Sequence, residues 1–274
     1  MSLEKPGFNP EQPSEAKKES SPKRLMLSIE ALLKLQVGKV EVSGQEHLKD
    51  IPPNRKLVIA TTHISDLDVP ITVGSLGHDL DLAVVNMSVH HSLREEAGTF
   101  LGVMASGRDN YIPVDFNRDK ETGVKTAGLF NPQNFEPMRS ALNKGKRVLI
   151  AAHNPSHDAE LGEPGYGAAY LAELEGAMIL PVGVQLLGEK ELGMYGTGAK
   201  TFAHKPDAKV SIGQPFELEK IQGLEELGQI MAKRQSGEKL TKENLQRFSE
   251  LKKSLKEQSE ILLQHIAGLL PESE

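Results

Sequence analysis

The chain has 274 residues, enough to bury the core of one large α/β domain or two small ones. It has no Cys, which excludes disulfides, thiolate metal sites and a Cys nucleophile, and its net charge of −6 weighs against a nucleic-acid partner. No apolar run approaches the roughly 20 residues of a membrane span, and the first residues carry no apolar signal-peptide core, so the expectation is a cytoplasmic protein, with any membrane contact peripheral, at the inner face.

Residues 1–22 are rich in Pro, Glu, Ser and Lys and read as a disordered tail. In the next segment, KRLMLSIEALLKLQ, Leu25, Ile29, Leu32 and Leu33 recur at helical spacing, so an amphipathic helix opens a domain that runs over 23–217. The helix docks on the core or, given its basic start at Lys23 and Arg24, lies on a membrane surface. KVEVSG alternates and predicts a short strand. KLVIATT, DLAVVNMS, KRVLIAA, AMILPVGVQLL and AKVSIGQPF predict five more, several of them continuous apolar runs of the type found in strands covered on both faces. Helical segments at 69–77, 92–105, 135–144 and 165–176 fall between them. Alternating strands and helices predict an α/β fold, a mixed, largely parallel sheet flanked by helices. Residues 218–274 read as a helical extension packed on the domain, broken at Ser236-Gly237, with Leu251, Leu255, Leu262, Ile266 and Leu269 as its docking stripe.

The chemistry concentrates in LVIATTHISDLDVP, where an apolar strand runs into His63 and a polar turn follows. Ser65 or Asp66 is placed to cap a helix that starts near Asp68 to Pro70. Five residues of straight helix would turn His63 and Asp68 roughly 140° apart, so the pair meets only at a strand–turn–helix junction, which the flanking pattern supplies. A His held by a carboxylate is a general base: the Asp fixes the tautomer, and the free nitrogen takes a proton from an alcohol. The bland reading of the same residues is a strand-end His beside a helix-capping Asp. Asp66 competes with Asp68 as the partner of His63. The loop Gly162-Glu-Pro-Gly165-Tyr-Gly167 lacks the Lys-Ser/Thr of a phosphate loop and reads as a turn into a helix.

THISDLDVP resembles the first block, N-H-x4-D, of the PlsC-type glycerolipid acyltransferases (glycerol-3-phosphate and lysophosphatidate acyltransferases), with Thr62 in place of the usual Asn. The resemblance runs in order over roughly residues 38–218. GRDNYIPVDFNRD sits where the second block lies and KGKRVLIAAHNPSHD where the third, F-P-E-G-T, lies. Leu180-Pro181-Val182 is similar to the fourth, Val-Pro-Val, and KVSIGQPFEL to a late V-x-I-G-x-P strand. The resemblance implies the acyltransferase fold and transfer of an acyl group from acyl-CoA or acyl carrier protein to the hydroxyl of glycerol-3-phosphate or a lysophospholipid. It implies His63 as base oriented by Asp68, with no acyl-enzyme and no cofactor or metal; the low aromatic content, 4% with no Trp, predicts that any peripheral membrane contact is weak.

Two blocks depart from the pattern. The third places His153 where the family has Glu and Asn154 where it has Gly. The second ends at Phe116 where the family has a phosphate-binding Arg, leaving Arg108 and Arg118 as candidates for an acceptor phosphate. His153, Asn154 and Ser156 are candidate acceptor contacts. Two other readings stand beside this one. One is a lipid- or acyl-binding protein without turnover on the same fold. The other is a metal-dependent hydrolase that gathers His63, Asp66, Asp68, His153, His157 and Asp158.

Overall fold

The computed structural model describes residues 36–65, 67–76, 81–87, 111–114, 135–154, 161–187 and 205–271. The N-terminal tail, the apolar stripe at 25–33 and the helix expected at 92–105 lie outside them.

All six expected strands form: β1 (Val40–Ser43), β2 (Leu57–Thr61), β3 (Leu82–Met87), β5 (Arg147–Ala151), β6 (Met178–Leu187) and β7 (Asp207–Ile212). A seventh, β4 (Tyr111–Val114), is four residues long and contains Pro113, which leaves it no readable pattern. It sits at the sheet edge, the place where a strand tolerates Pro. The order is β1-β7-β6-β2-β5-β3-β4. From β6 to β4 neighbouring strands are parallel; β7 is antiparallel to β6, and β1 is parallel to β7. The sheet is therefore mixed and largely parallel, as the alternation of elements implied.

Helices cover both faces. The first, α1 (Asp68–Leu76), follows β2; α2 (Glu136–Asn143) precedes β5; α3 (Tyr166–Glu175) links β5 to β6; α4 (Leu224–Gln235) and α5 (Lys242–Ala267) close the chain. Side chains of β2 alternate between two cores. Leu57 and Ile59 pack with Ile71 and Val73 of α1, whereas Val58 and Ala60 pack with Met138 of α2, Leu171 of α3, and Leu227 and Leu255 of the last two helices. Every residue of β2 is buried. An unbroken apolar run follows from this two-sided cover, since leaving a large side chain exposed would forfeit about 1.5–3 kcal/mol.

The break between α4 and α5 lies where Ser236-Gly237 predicted it. Gly237 takes φ 78°, a left-handed value that favours glycine. Thr241 then caps α5 by accepting the Asn244 N–H at 3.1 Å. Leu251, Leu255, Leu262 and Ile266 are buried, and α5 packs on α3 and β6. Residues 218–223 are not helical, unlike the expectation. Side chains of other elements take their backbone donors: Gln258 Oε1 accepts from Glu219 N–H at 3.1 Å and Glu173 Oε2 from Ile221 N–H at 2.8 Å. Among the described residues no helix is long and apolar enough to cross a membrane.

Candidate active site

Strands β2 and β5 are parallel neighbours, with Thr61 opposite Ala151. Each strand ends there, and each is followed two residues later by a histidine. Register alone therefore brings His63 and His153 side by side at the carboxyl ends of two central strands. The chain leaves β2 for α1 on one face of the sheet and leaves β5 for α3 on the other. Diverging connections of this kind open a crevice outside the strand ends, the usual ligand position in open α/β sheets.

The backbone around His63 is held amide by amide. Thr62 N–H donates to the Val182 carbonyl of β6 at 3.2 Å. His63 N–H donates to His153 Nε2 at 2.8 Å. Ile64 N–H donates to Asp68 Oδ2 at 2.8 Å. Thr62 Oγ1 also accepts the Val184 N–H at 3.1 Å, extending the β2–β6 contact past the end of the ladder.

Asp68 opens α1 and is buried, and its carboxylate reaches back along the chain. Oδ1 accepts the Ser65 hydroxyl at 2.7 Å, and Ser65 Oγ in turn accepts the Leu67 N–H at 3.1 Å. The Ser65 hydroxyl and the Asp68 carboxylate thus tie together the turn that leads into α1, satisfying the Ile64 and Leu67 amides before the helix begins. The pattern Ser-x-x-Asp was present in the sequence and was the signal for it. Burial raises the Asp68 pKa to about 6 even though the Ser65 hydroxyl, the Ile64 N–H and the Thr62 hydroxyl all favour the carboxylate.

No hydrogen bond joins His63 to Asp68 among the described residues. The expected contact is replaced because both carboxylate oxygens are turned into the His63–Asp68 loop to satisfy its donors. Asp66, the competing partner, lies outside the described residues. His63 is half-buried, and its Nδ1 is a buried atom without a hydrogen-bond partner among the described residues. Burial, and after it the neighbouring His153 imidazole, lower its pKa to about 4, while the Ser65 backbone pulls the other way. The imidazole is therefore neutral at pH 7 and able to accept a proton.

His153 was read from sequence as an acceptor contact. In the structure it is 2% exposed, and both ring nitrogens are engaged inside the protein. Nε2 accepts from His63 N–H, so the proton of the neutral ring sits on Nδ1, which donates to the Asn154 carbonyl at 2.7 Å. Gly162 N–H also approaches Nδ1, at 3.2 Å, and cannot be satisfied by a nitrogen that already carries a proton. Burial lowers the His153 pKa, partly offset by the Asn154 carbonyl. With its nitrogens committed, His153 offers no lone pair to a metal unless these bonds break. Asn154 is exposed just beyond it, at the end of β5. Arg108, Arg118, Ser156, His157 and Asp158 lie outside the described residues. The segment from Gly162 to Gly165 is a turn into α3, as read, and it also covers His153: His153 bridges Pro164, and Asn154 N–H donates to the Glu163 carbonyl at 2.9 Å.

No family model matches the sequence, and no curated protein matches it. Among solved structures, the chain is similar to the 1-acyl-sn-glycerophosphate (LPA) acyltransferase PlsC from Thermotoga maritima, at 14% identity over 88% of this chain and 79% of that one, with a TM-score of 0.46. A likeness of that size leaves function to be argued from the site itself.

Proposed function

We propose that this protein is an acyltransferase that moves a fatty acyl group from a thioester donor, acyl-CoA or acyl carrier protein, to the hydroxyl of a glycerol-phosphate-like or lysophospholipid acceptor. The observation that carries the reading is a half-buried histidine, His63, two residues past the carboxyl end of a central strand, whose Nδ1 has no hydrogen-bond partner among the described residues. The ordered resemblance of the sequence over roughly 38–218 to glycerolipid acyltransferases supports it.

In this reading the acceptor hydroxyl gives its proton to His63 as its oxygen attacks the thioester carbonyl. The tetrahedral oxyanion collapses, the carbon–sulfur bond breaks, and the leaving thiolate takes the proton back from His63. Asp68 serves by holding the turn that presents His63. Asn154 lies on the exposed side of the strand ends and, with Arg108, Arg118 and Ser156, is a candidate to meet the acceptor. Any membrane contact is peripheral.

The test is thiol release from a panel of acyl-CoAs and acyl carrier proteins, with glycerol-3-phosphate, lysophosphatidate and other lysophospholipids as acceptors. Acceptor-dependent release that vanishes in a folded His63→Ala variant is the expected result. Release that persists in that variant removes His63 as the base. Acyl-chain binding without turnover in either form turns the reading to a binding protein.

A further inference from the structure

We propose that His153 is a positioning residue: its ring, by accepting the His63 backbone N–H, fixes the direction in which the His63 imidazole faces the substrate. The catalytic part of this proposal rests on the acyl-transfer reading above; the part concerning His63's backbone does not.

The argument starts from the end of the sheet. The β2–β5 ladder stops at Thr61 and Ala151, and its last backbone bond is Ala152 N–H to the Thr61 carbonyl at 2.9 Å. Past that point the ladder gives His63 N–H no partner, the Ala152 carbonyl being taken by Gly165 N–H, and a half-buried amide must find an acceptor. His153 supplies one from a side chain, at 2.8 Å. On either side, Thr62 N–H is held by β6 and Ile64 N–H by the Asp68 carboxylate of α1. Three successive amides are thus anchored to three separate parts of the fold. The His153 bond is the middle one, and it acts on the residue whose side chain carries the chemistry.

Of the two groups at Nδ1, the nearer, the Asn154 carbonyl at 2.7 Å, favours the accepting state of Nε2 over the Gly162 N–H at 3.2 Å. It selects the tautomer with the proton on Nδ1 and so leaves Nε2 bare. The covering segment closes down on the ring at Gly162, where a Cβ would lie 2.2 Å from the Asn154 carbonyl oxygen and 3.2 Å from His153 Nδ1. Only glycine leaves the ring its seat. Because His153 is 2% exposed, its route to the substrate runs through His63 rather than through contact.

The experiment compares His153→Leu with His153→Gln in the full chain. Gln carries an acceptor oxygen near the place of Nε2; Leu fills similar space without one. His153→Leu should lower kcat about 100-fold with KM nearly unchanged, the signature of a displaced catalytic group. His153→Gln should recover most of that loss. In parallel, hydrogen exchange of the His63 amide, read by NMR, should accelerate in His153→Leu, be protected again in His153→Gln, and leave the amides of β2 unchanged. If the Leu variant does not fold, His153→Asn against His153→Gln carries the same contrast, since Asn reaches only the Nδ1 position. A rise in KM alone would make His153 a substrate contact and overturn the proposal. Unchanged exchange at His63 would overturn it too, whatever the activity. Absence of turnover in the wild type would count against the acyl-transfer reading, and the exchange contrast would still decide the role of His153 in holding His63.

Discussion

At the residue scale, the notable property of His63 is how weakly it binds a proton. A base whose conjugate acid is suppressed to about 4 is fully available at neutral pH and gives up some driving force for abstraction in return. Its cause is burial beside a second imidazole, so it is a property of the folded site rather than of histidine. If His63 is the base, kcat/KM should hold across the neutral range and fall on an acid limb near pH 4, about 2.5 units below the limb of an ordinary histidine. A titration of kcat/KM from pH 8 to pH 4 checks this; a limb near 6.5 would mean that His63 titrates as an exposed group and is not the residue that limits turnover. The Asp68 carboxyl, raised to about 6, adds an inflection of its own, which should disappear in Asp68→Asn.

At the scale of elements, the segment 161–165 is the part of the site with least tolerance. It returns along the end of β5, closes over His153 with the Gly165 N–H on the Ala152 carbonyl at 2.8 Å, and only then turns into α3. Gly162→Ala places a methyl 2.2 Å from the Asn154 carbonyl oxygen, which is backbone and cannot swing aside. The variant should lose about 1–3 kcal/mol in urea unfolding, the usual cost of overpacking, and should lose turnover with it because His153 loses its seat. The strands were legible because burial on both faces leaves an unbroken apolar run, and the α4–α5 break was legible because Gly237 needs a left-handed φ. β4 was illegible: four residues interrupted by Pro113 carry no period. Asp68 bonds to the Ser65 turn rather than to His63, and the sequence could not show it because a Ser-x-x-Asp bridge and an H-x4-D pair occupy the same residues. The neighbourhood of His63 and His153 was hidden for another reason. They are 90 residues apart, and only the strand order, with β5 inserted beside β2, makes them register partners.

At the scale of the whole molecule, half-buried His63 and buried Asp68 couple folding to pH in opposite senses. The folded chain refuses a proton on His63 until about pH 4, whereas an unfolded histidine takes one near 6.5. As the pH drops from 6.5 to 4, the unfolded state therefore binds more protons and stability is lost. Asp68 does the reverse. Its folded form takes a proton near pH 6 and its unfolded form near 3.8, so stability is gained as the pH drops through that window and lost as it rises. Each shift corresponds to about 3 kcal/mol at most, so the two nearly cancel between pH 6 and 4, and the wild-type curve alone would conceal both. Differences between proteins expose them. Relative to His63→Gln, the wild type should become less stable as the pH falls from 7.5 to 4.5; relative to Asp68→Asn, it should become more stable over the same range. Urea unfolding of the three proteins at the two pH values gives both differences, with the contributions of all other carboxylates removed by subtraction. Parallel curves for wild type and Asp68→Asn would mean that the Asp68 carboxyl titrates alike in the folded and unfolded chains, and the Ser65–Asp68 bridge would then hold the His63 turn without a reluctantly ionised carboxylate at its centre.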